Sequence, residues 1–327
     1  METLLLSKND VQTILTMDNV IAAVKDGYMA FQQGKIQQPD IVSMEMPEYN
    51  GETDIKSCCN LLNKYVTVKI ASGFYDNGKI NDLPTMIGTI QILDAATGAV
   101  LCIMDGSLIT GIRTAAAGAV SAEYLARKDS ETVCVIGSGT QARMQVYALS
   151  RVLPIRQVKV YSRNTSALLK YKENVETELP VSVTVCDTVE KALQNADVIV
   201  TTTPSKNFLV PTELVRKGTH IIAVGADMAG KNELEPSVFC NAKIVNDSIA
   251  QCISRGETRN AIISGYIKES DIYGEIGELI AGKKPGRTNN DEITIFDTTG
   301  MAVQDNVTAA MVYQAAVNRN LGTWFSF

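Results

Sequence analysis

The stretch Gly137-Ser138-Gly139-Thr140-Gln141-Ala142 constrains this chain more than any other. It follows the apolar run Val133-Cys134-Val135-Ile136 and opens a segment with helical spacing, so it reads as G-x-G-x-x-A between a strand and a helix. Gly137 permits the tight turn, Gly139 lets a ligand approach the backbone, and Ala142 keeps the helix close to its strand. The free N–H groups and positive end of that helix suit a dinucleotide pyrophosphate, to which Ser138, Thr140 and Gln141 belong as loop contacts. Two glycines alone would carry little. A second strand ending at Tyr161 is what makes the match specific.

The end of that second strand is where the adenosine ribose is read. An acidic residue there favours NAD, but this chain has Ser162-Arg163-Asn164. Arg163 offers a guanidinium to a 2′-phosphate, with hydrogen bonds from Ser162 and Asn164, which tips the expectation toward NADP. NAD stays open, because Arg163 can equally lie in solvent.

Around this turn, strands and helices alternate. Strands are expected over 132–136, 158–161, 181–185, 198–202, 220–224, 243–246 and 293–296, with helices over 142–153 and 166–177. That alternation implies an α/β fold with a Rossmann doubly wound parallel sheet. The preceding residues follow another pattern. Helical spacing over 9–34 stops at Gly34, short strands of a mixed sheet fill 38–105, and an Ala-rich helix covers 114–126. A last helix over 306–318 is expected to return to the N-terminal region. The expected domains are therefore 1–120 with 305–327, a discontinuous mixed-sheet substrate and dimerisation domain, and 121–304, the Rossmann dinucleotide-binding domain.

A net charge of -6 argues against a nucleic-acid partner. No apolar run reaches the ~18 residues of a membrane span, and Met1-Glu2-Thr3-Leu4-Leu5-Leu6 lacks the basic start of a signal peptide. The 7 cysteines form no Cys-x-x-Cys pair, and Cys58-Cys59 reads as a pair of strand cysteines rather than a metal site. A reduced, cytoplasmic protein without a metal is the expectation.

Several side chains are candidates for chemistry. Thr202 and Thr203 end a strand at the carboxyl edge of the parallel sheet, where ligands of open α/β sheets sit. Asp227 follows another strand to the same edge and can exchange protons with a substrate amine, or can simply close a turn on its own backbone. His220, the only histidine, lies at the opposite end of its strand and reads as structural. Arg113 is the first arginine of the chain and suits carboxylate recognition where the Ala-rich helix begins. Lys69 is a cation in an apolar strand. It is either buried against an anion or snorkelling to the surface.

Together these segments resemble the ornithine cyclodeaminase/mu-crystallin family. The likeness runs in order through Val68-Lys69, Met104-Asp105-Gly106, Ile109-Thr110, Arg113-Thr114-Ala115-Ala116 and the glycine turn. It continues through Val224-Gly225-Ala226-Asp227, Gly230-Lys231, Glu233-Leu234, Gly277-Glu278-Leu279-Ile280-Ala281-Gly282 and Ile295 to Asp305. The resemblance implies a homodimer, carboxylate binding by Lys69 and Arg113, and proton transfer by Asp227 with Lys69. It also implies dinucleotide contacts from Thr114, Val224, Ala226, Lys231 and Thr298. The substrate implied is a small L-amino or imino acid. Cyclodeaminases of this family take a hydride from ornithine and return it to give proline, whereas other members are alanine dehydrogenases or imine and ketimine reductases with net cofactor turnover. A silent dinucleotide binder is the third reading, which retention of Lys69, Arg113 and Asp227 disfavours. The chain departs from the pattern near Gln38-Pro39, where Asp40-Ile41 replaces an expected arginine, and at Lys56, where cyclodeaminases carry glutamate. Lys56 is expected to replace the lost positive charge, and Asp40 to hold an amine.

Overall fold

A computed structural model describes residues 2–327. The chain opens with strand β1 (Glu2–Leu6) and helices α1 (Lys8–Ile14) and α2 (Met17–Gln32). The one helix expected over 9–34 is thus two. Ser7 and Thr16 each start a helix, in reciprocal capping boxes with Asp10 and Asn19. Strands β2 (Ile36–Gln37), β3 (Val42–Met46), β4 (Gly51–Asn60) and β5 (Tyr65–Phe74) follow, then the short α3 (Asn77–Ile80), β6 (Met86–Asp94) and β7 (Val100–Asp105). Helix α4 (Ser107–Leu125) begins well before residue 114. The Asp105 carboxylate accepts the Leu108 N–H at 2.9 Å, so the first turn forms ahead of the Ala-rich stretch. Arg113 therefore lies inside the helix and not at its start.

Next come β8 (Thr132–Ile136), α5 (Thr140–Leu149), β9 (Gln157–Tyr161), α6 (Thr165–Glu178), β10 (Ser182–Val185), α7 (Val189–Leu193), β11 (Val198–Thr201) and β12 (His220–Ala223). They continue as β13 (Ala242–Asn246), α8 (Ile249–Arg255), α9 (Glu257–Ile263), β14 (Gly274–Glu275), α10 (Ile276–Ile280) and β15 (Ile293–Asp297). The chain ends with α11 (Ala302–Arg319) and β16 (Thr323–Ser326). It divides into two compact units, residues up to Arg113 with Met301–Phe327, and Thr114–Gly300. The cuts thus fall inside α4 and just ahead of α11, where the sequence reading set them at 120/121 and 304/305.

The second unit is a parallel sheet in the order β10-β9-β8-β11-β12-β15-β13-β14. From β8 the chain winds outward to β10, then returns to β11 and winds the other way. The gap between β8 and β11 is therefore the topological switch point, the place where open α/β sheets bind ligands beyond their carboxyl ends. Its core is built from Cys134, Ile136, Ile199, Ile221, Phe239 and Ile295.

The first unit is a mixed sheet in the order β16-β1-β7-β6-β5-β4-β2, with β3 on β4. Leu4, Leu6, Ile90, Ile92 and Met104 form its core with Val11, Ile14 and Val312. Helix α11 packs on α2 where Gly27 leaves room, since a Cβ there would lie 3.2 Å from Val307. Register places Val42, Met44, Ile70 and Ile87 on the opposite, exposed sheet face. Among the described residues no helix is long and apolar enough to cross a membrane.

Candidate active site

The glycine turn begins where β8 ends. Gly137 has φ +122°, a conformation that only glycine adopts without strain, and a Cβ there would run into the Thr202 hydroxyl. Its N–H is fixed to the Tyr161 carbonyl at 2.8 Å. Gly139 differs. Its φ of -83° is ordinary, and a Cβ added to it would meet nothing within 4 Å. It precedes α5 without any side-chain cap, so the first N–H groups of that helix remain for a ligand. Ala142 is fully buried, whereas Ser138 and Gln141 are half-buried and Thr140 is exposed. An open backbone at Gly139 beside an uncapped helix start fits a pyrophosphate.

At the carboxyl end of β9, a cavity of 450 Å³ is lined by Tyr161, Ser162, Arg163, Thr165, Leu168 and Asp187. Arg163 is exposed. Asn164 caps α6: its side-chain oxygen accepts from Ala167 N–H at 3.2 Å and from the Ser166 hydroxyl at 2.8 Å. Asp187, which sequence reasoning passed over, brings a carboxylate to this cavity and pairs with Lys191 at 2.8 Å.

Beyond β11, the Thr202 hydroxyl donates to the Ile136 carbonyl at 3.1 Å, and Thr203 donates both N–H and O–H to Glu233, each at 2.6 Å. Beyond β12, Val224 is half-buried and Ala226 is buried. Asp227 follows, its carboxylate 50% exposed and 2.7 Å from Lys231. Two residues assigned different roles in the sequence thus form one ion pair. Thr298 is buried, with its hydroxyl donated to Asp247 at 2.6 Å. Thr114 begins this unit, and its carbonyl accepts from Gln145 at 3.1 Å.

His220 is fully buried between Thr294 at 2.9 Å and Ser121 at 3.1 Å. Burial and the Arg287 charge push its imidazole down to about 3, so it is a neutral packing residue.

A group of buried acids escaped the sequence reading. Burial, against hydrogen bonds from Thr203, raises Glu233 to about 7. Burial likewise raises Glu257 to about 8 and Asp297 to about 7. Each keeps a proton in the fold that the unfolded chain has released, so stability falls as pH rises from the ordinary carboxyl range toward 8. The slope is about 1.4 kcal/mol per pH unit for each proton. His220 opposes this below its ordinary value of 6.5, and Lys69, lowered to about 7 by burial, opposes it above that. The melting temperature of the ligand-free protein is therefore expected to decline between pH 6 and 7, and Glu233→Gln to flatten the decline. A scanning calorimetry profile that rises through this window would contradict the assignment.

The other candidate residues lie in the first unit. Along β5, Thr67 and Lys69 alternate inward while Ile70 faces out. Lys69 is fully buried and has its anion: Asp305 in the first turn of α11 lies 2.6 Å from Nζ. The other Asp305 oxygen lies 3.0 Å from Arg113 Nε, and Gln304 accepts from Arg113 Nη1 at 2.6 Å. Lys56 is buried and stands opposite Lys69 in the β4–β5 register. Asp40 sits on the exposed link between β2 and β3. The structure thus brings Lys56, Lys69 and Arg113 together around an acid that the sequence reading had not assigned.

Burial lowers Lys69 to about 7, helped by the Arg113 charge and opposed by Asp305. Burial alone would raise Asp305, but Arg113 and Lys69 hold its carboxyl below the usual range. Breaking a buried ion pair by deleting one partner costs about 3–5 kcal/mol. Lys69, Asp305 and Arg113 thus hold one another in place.

The model of the ornithine cyclodeaminase/mu-crystallin family matches residues 1–320. The chain belongs to this family. The α/β fold expected from the resemblance is the one observed. Among family members, the alanine dehydrogenase of Archaeoglobus fulgidus is 38% identical over 327 residues, covering 100% of this chain and 99% of the relative. A solved archaeal alanine dehydrogenase dimer with bound NAD has 38% identity and a TM-score of 0.94, with both chains covered at 100%. The Δ1-pyrroline-2-carboxylate reductase of Thermococcus litoralis, solved with NADH and L-proline, has 32% identity and a TM-score of 0.95 over 98% of this chain and 99% of that one.

Proposed function

We propose that this family member is an NAD(P)-dependent oxidoreductase that transfers a hydride to or from the α-carbon of a small L-amino or imino acid, with net turnover of the cofactor. The observation that carries this reading is the buried Lys69–Asp305–Arg113 cluster, a cationic carboxylate receptor on one unit of a chain whose other unit carries the dinucleotide turn.

Residues of this chain divide the work. Gly137, Gly139 and the start of α5 hold the pyrophosphate, with Ser138, Thr140 and Gln141 around it, while Thr202, Thr203, Val224, Ala226 and Thr298 shape the sheet edge. Lys69 and Arg113 take the substrate carboxylate in a charge-assisted grip. Asp227 exchanges a proton with the substrate nitrogen, and the neighbouring Lys231 holds its carboxylate in place. The nicotinamide supplies or accepts the hydride when the cofactor is bound.

Lys56 favours net reduction or oxidation over cyclodeamination. Placed opposite Lys69, it brings a cation to the strand position where a diamino acid's second amine needs an acceptor. Arg163 supports use of NADP beside NAD, although Asp187 at the same cavity would repel a 2′-phosphate. The purified protein is expected to consume NADH or NADPH with pyruvate plus ammonium or with Δ1-pyrroline-2-carboxylate, and to make little proline from L-ornithine. Proline formation without net cofactor consumption would instead establish cyclodeamination.

We also infer a homodimer. The exposed face carrying Val42, Met44, Ile70 and Ile87 is an apolar sheet surface of the kind that a second copy covers. Light scattering is expected to give twice the chain mass of 35.4 kDa, and Ile70→Lys with Ile87→Lys to halve it. A monomeric wild-type protein would refute this.

A further inference from the structure

Gln304, Asp305 and Asn306 occupy the first turn of α11, and all three are buried. Three consecutive buried polar residues on a packed helix need partners, and each has its own. Gln304 accepts from Arg113 Nη1 at 2.6 Å and donates to the Tyr28 hydroxyl at 2.6 Å. Asn306 donates to the Tyr65 carbonyl at 3.2 Å and to the Thr67 hydroxyl at 3.3 Å, both on β5, and accepts from Asn63 at 2.9 Å. Asp305 stands between them, with one oxygen on Lys69 and the other on Arg113. A single helical turn therefore ties β5, Lys69 and Arg113 into one rigid arrangement.

We propose that Asp305 is the positioning residue of the carboxylate pocket: it clamps the Lys69 ammonium and the Arg113 guanidinium in one geometry and neutralises one of their two charges, so that a single substrate carboxylate completes the cluster. This rests on the reading that Lys69 and Arg113 receive the carboxylate of an amino or imino acid. The arrangement explains why Lys69 and Arg113 are tolerated so close together beside the buried Lys56. Of the pair's two charges one is met inside the protein, and the other is left for the ligand. The groups acting on Lys69 are Arg113, Asp305 and Lys56, while the buried Cys58 thiol, raised to about 12, stays neutral.

The test compares Asp305→Asn, nearly the same shape without charge, with Asp305→Glu, charged but one methylene longer. Cyanate reacts with neutral amines, so the pH dependence of Lys69 carbamylation, read by peptide mass spectrometry, reports its protonation without any substrate. Asp305→Asn is expected to move that midpoint down by about one pH unit or more, because an anion is lost beside Arg113 and Lys56. Asp305→Glu is expected to keep it within about half a unit, yet to raise KM for the acid about tenfold through the displaced clamp. Dinucleotide affinity is expected to hold in both. A purely structural role predicts the reverse order, with the isosteric Asn milder than Glu. If Asp305→Asn does not fold, Asp305→Glu alone decides, since an unchanged KM overturns the clamp. An unmoved carbamylation profile in folded Asp305→Asn also overturns it. Wild-type protein that shows the Lys69 shift but turns over none of these acids overturns the functional reading instead.

Discussion

Replacing Asp227 by asparagine is expected to lower kcat by about 10²–10⁴-fold while dinucleotide affinity stays within about twofold, the range for loss of a general acid–base. Asp227 lies just beyond the carboxyl end of β12 on a half-exposed stretch, so a substrate can reach it and its own desolvation is modest. Lys231 at 2.7 Å holds the carboxylate in one place. Asparagine keeps the size and a hydrogen bond but can neither take a proton from the substrate nitrogen nor return one. Steady-state kinetics measure the effect. A kcat within about threefold of the wild type would remove Asp227 from proton transfer and leave it as a turn residue paired to Lys231.

The second large effect is expected at Gly139. A side chain there meets no protein atom within 4 Å and the backbone is already in an ordinary extended conformation, so Gly139→Val costs the fold little beyond a poorer helix cap, about 1 kcal/mol. Its methyl groups stand where the pyrophosphate must approach the start of α5. Dinucleotide affinity is therefore expected to fall about 100-fold or more, equivalent to about 2.7 kcal/mol, with a cooperative melt retained. Titration calorimetry with NADH and NADPH checks it. Gly137 makes the control, since its φ of +122° and the Thr202 hydroxyl make any side chain there disruptive to the fold itself. Unchanged affinity in Gly139→Val would mean that the turn does not hold the dinucleotide.

How much of this was readable beforehand follows from how local each signal is. The glycine turn, the alternating strands and the buried lysine are local patterns with local causes, and a charged residue in the run Val66-Thr67-Val68-Lys69-Ile70 raises the demand for an anion without naming it. Asp305 supplies that anion from the other end of the chain, so only tertiary structure could pair them. The same holds for Glu233 and Glu257, which look like surface acids in sequence and are buried against each other, the Glu257 carboxylate accepting the Glu233 N–H. Strands β1 and β16 went unnoticed because each is a short stretch that gains its partner from distant residues: β1 pairs with β7 and β16, and β16 with β1. The split of the first helix was legible in principle, since Thr16 and Asn19 carry the spacing of a helix start, but the apolar periodicity runs across the break and masked it.

The central claim is hydride transfer at the α-carbon, and isotope transfer tests it most directly. The protein would be given NADH deuterated at the transferable C4 position together with Δ1-pyrroline-2-carboxylate or with pyruvate and ammonium, and the amino acid product examined by mass spectrometry and NMR. The account predicts one deuterium at the product α-carbon for each cofactor oxidised, with Asp227→Asn slowing its appearance. An amino acid carrying only solvent hydrogen at that carbon, or cofactor oxidation without any amino acid formed, would contradict it.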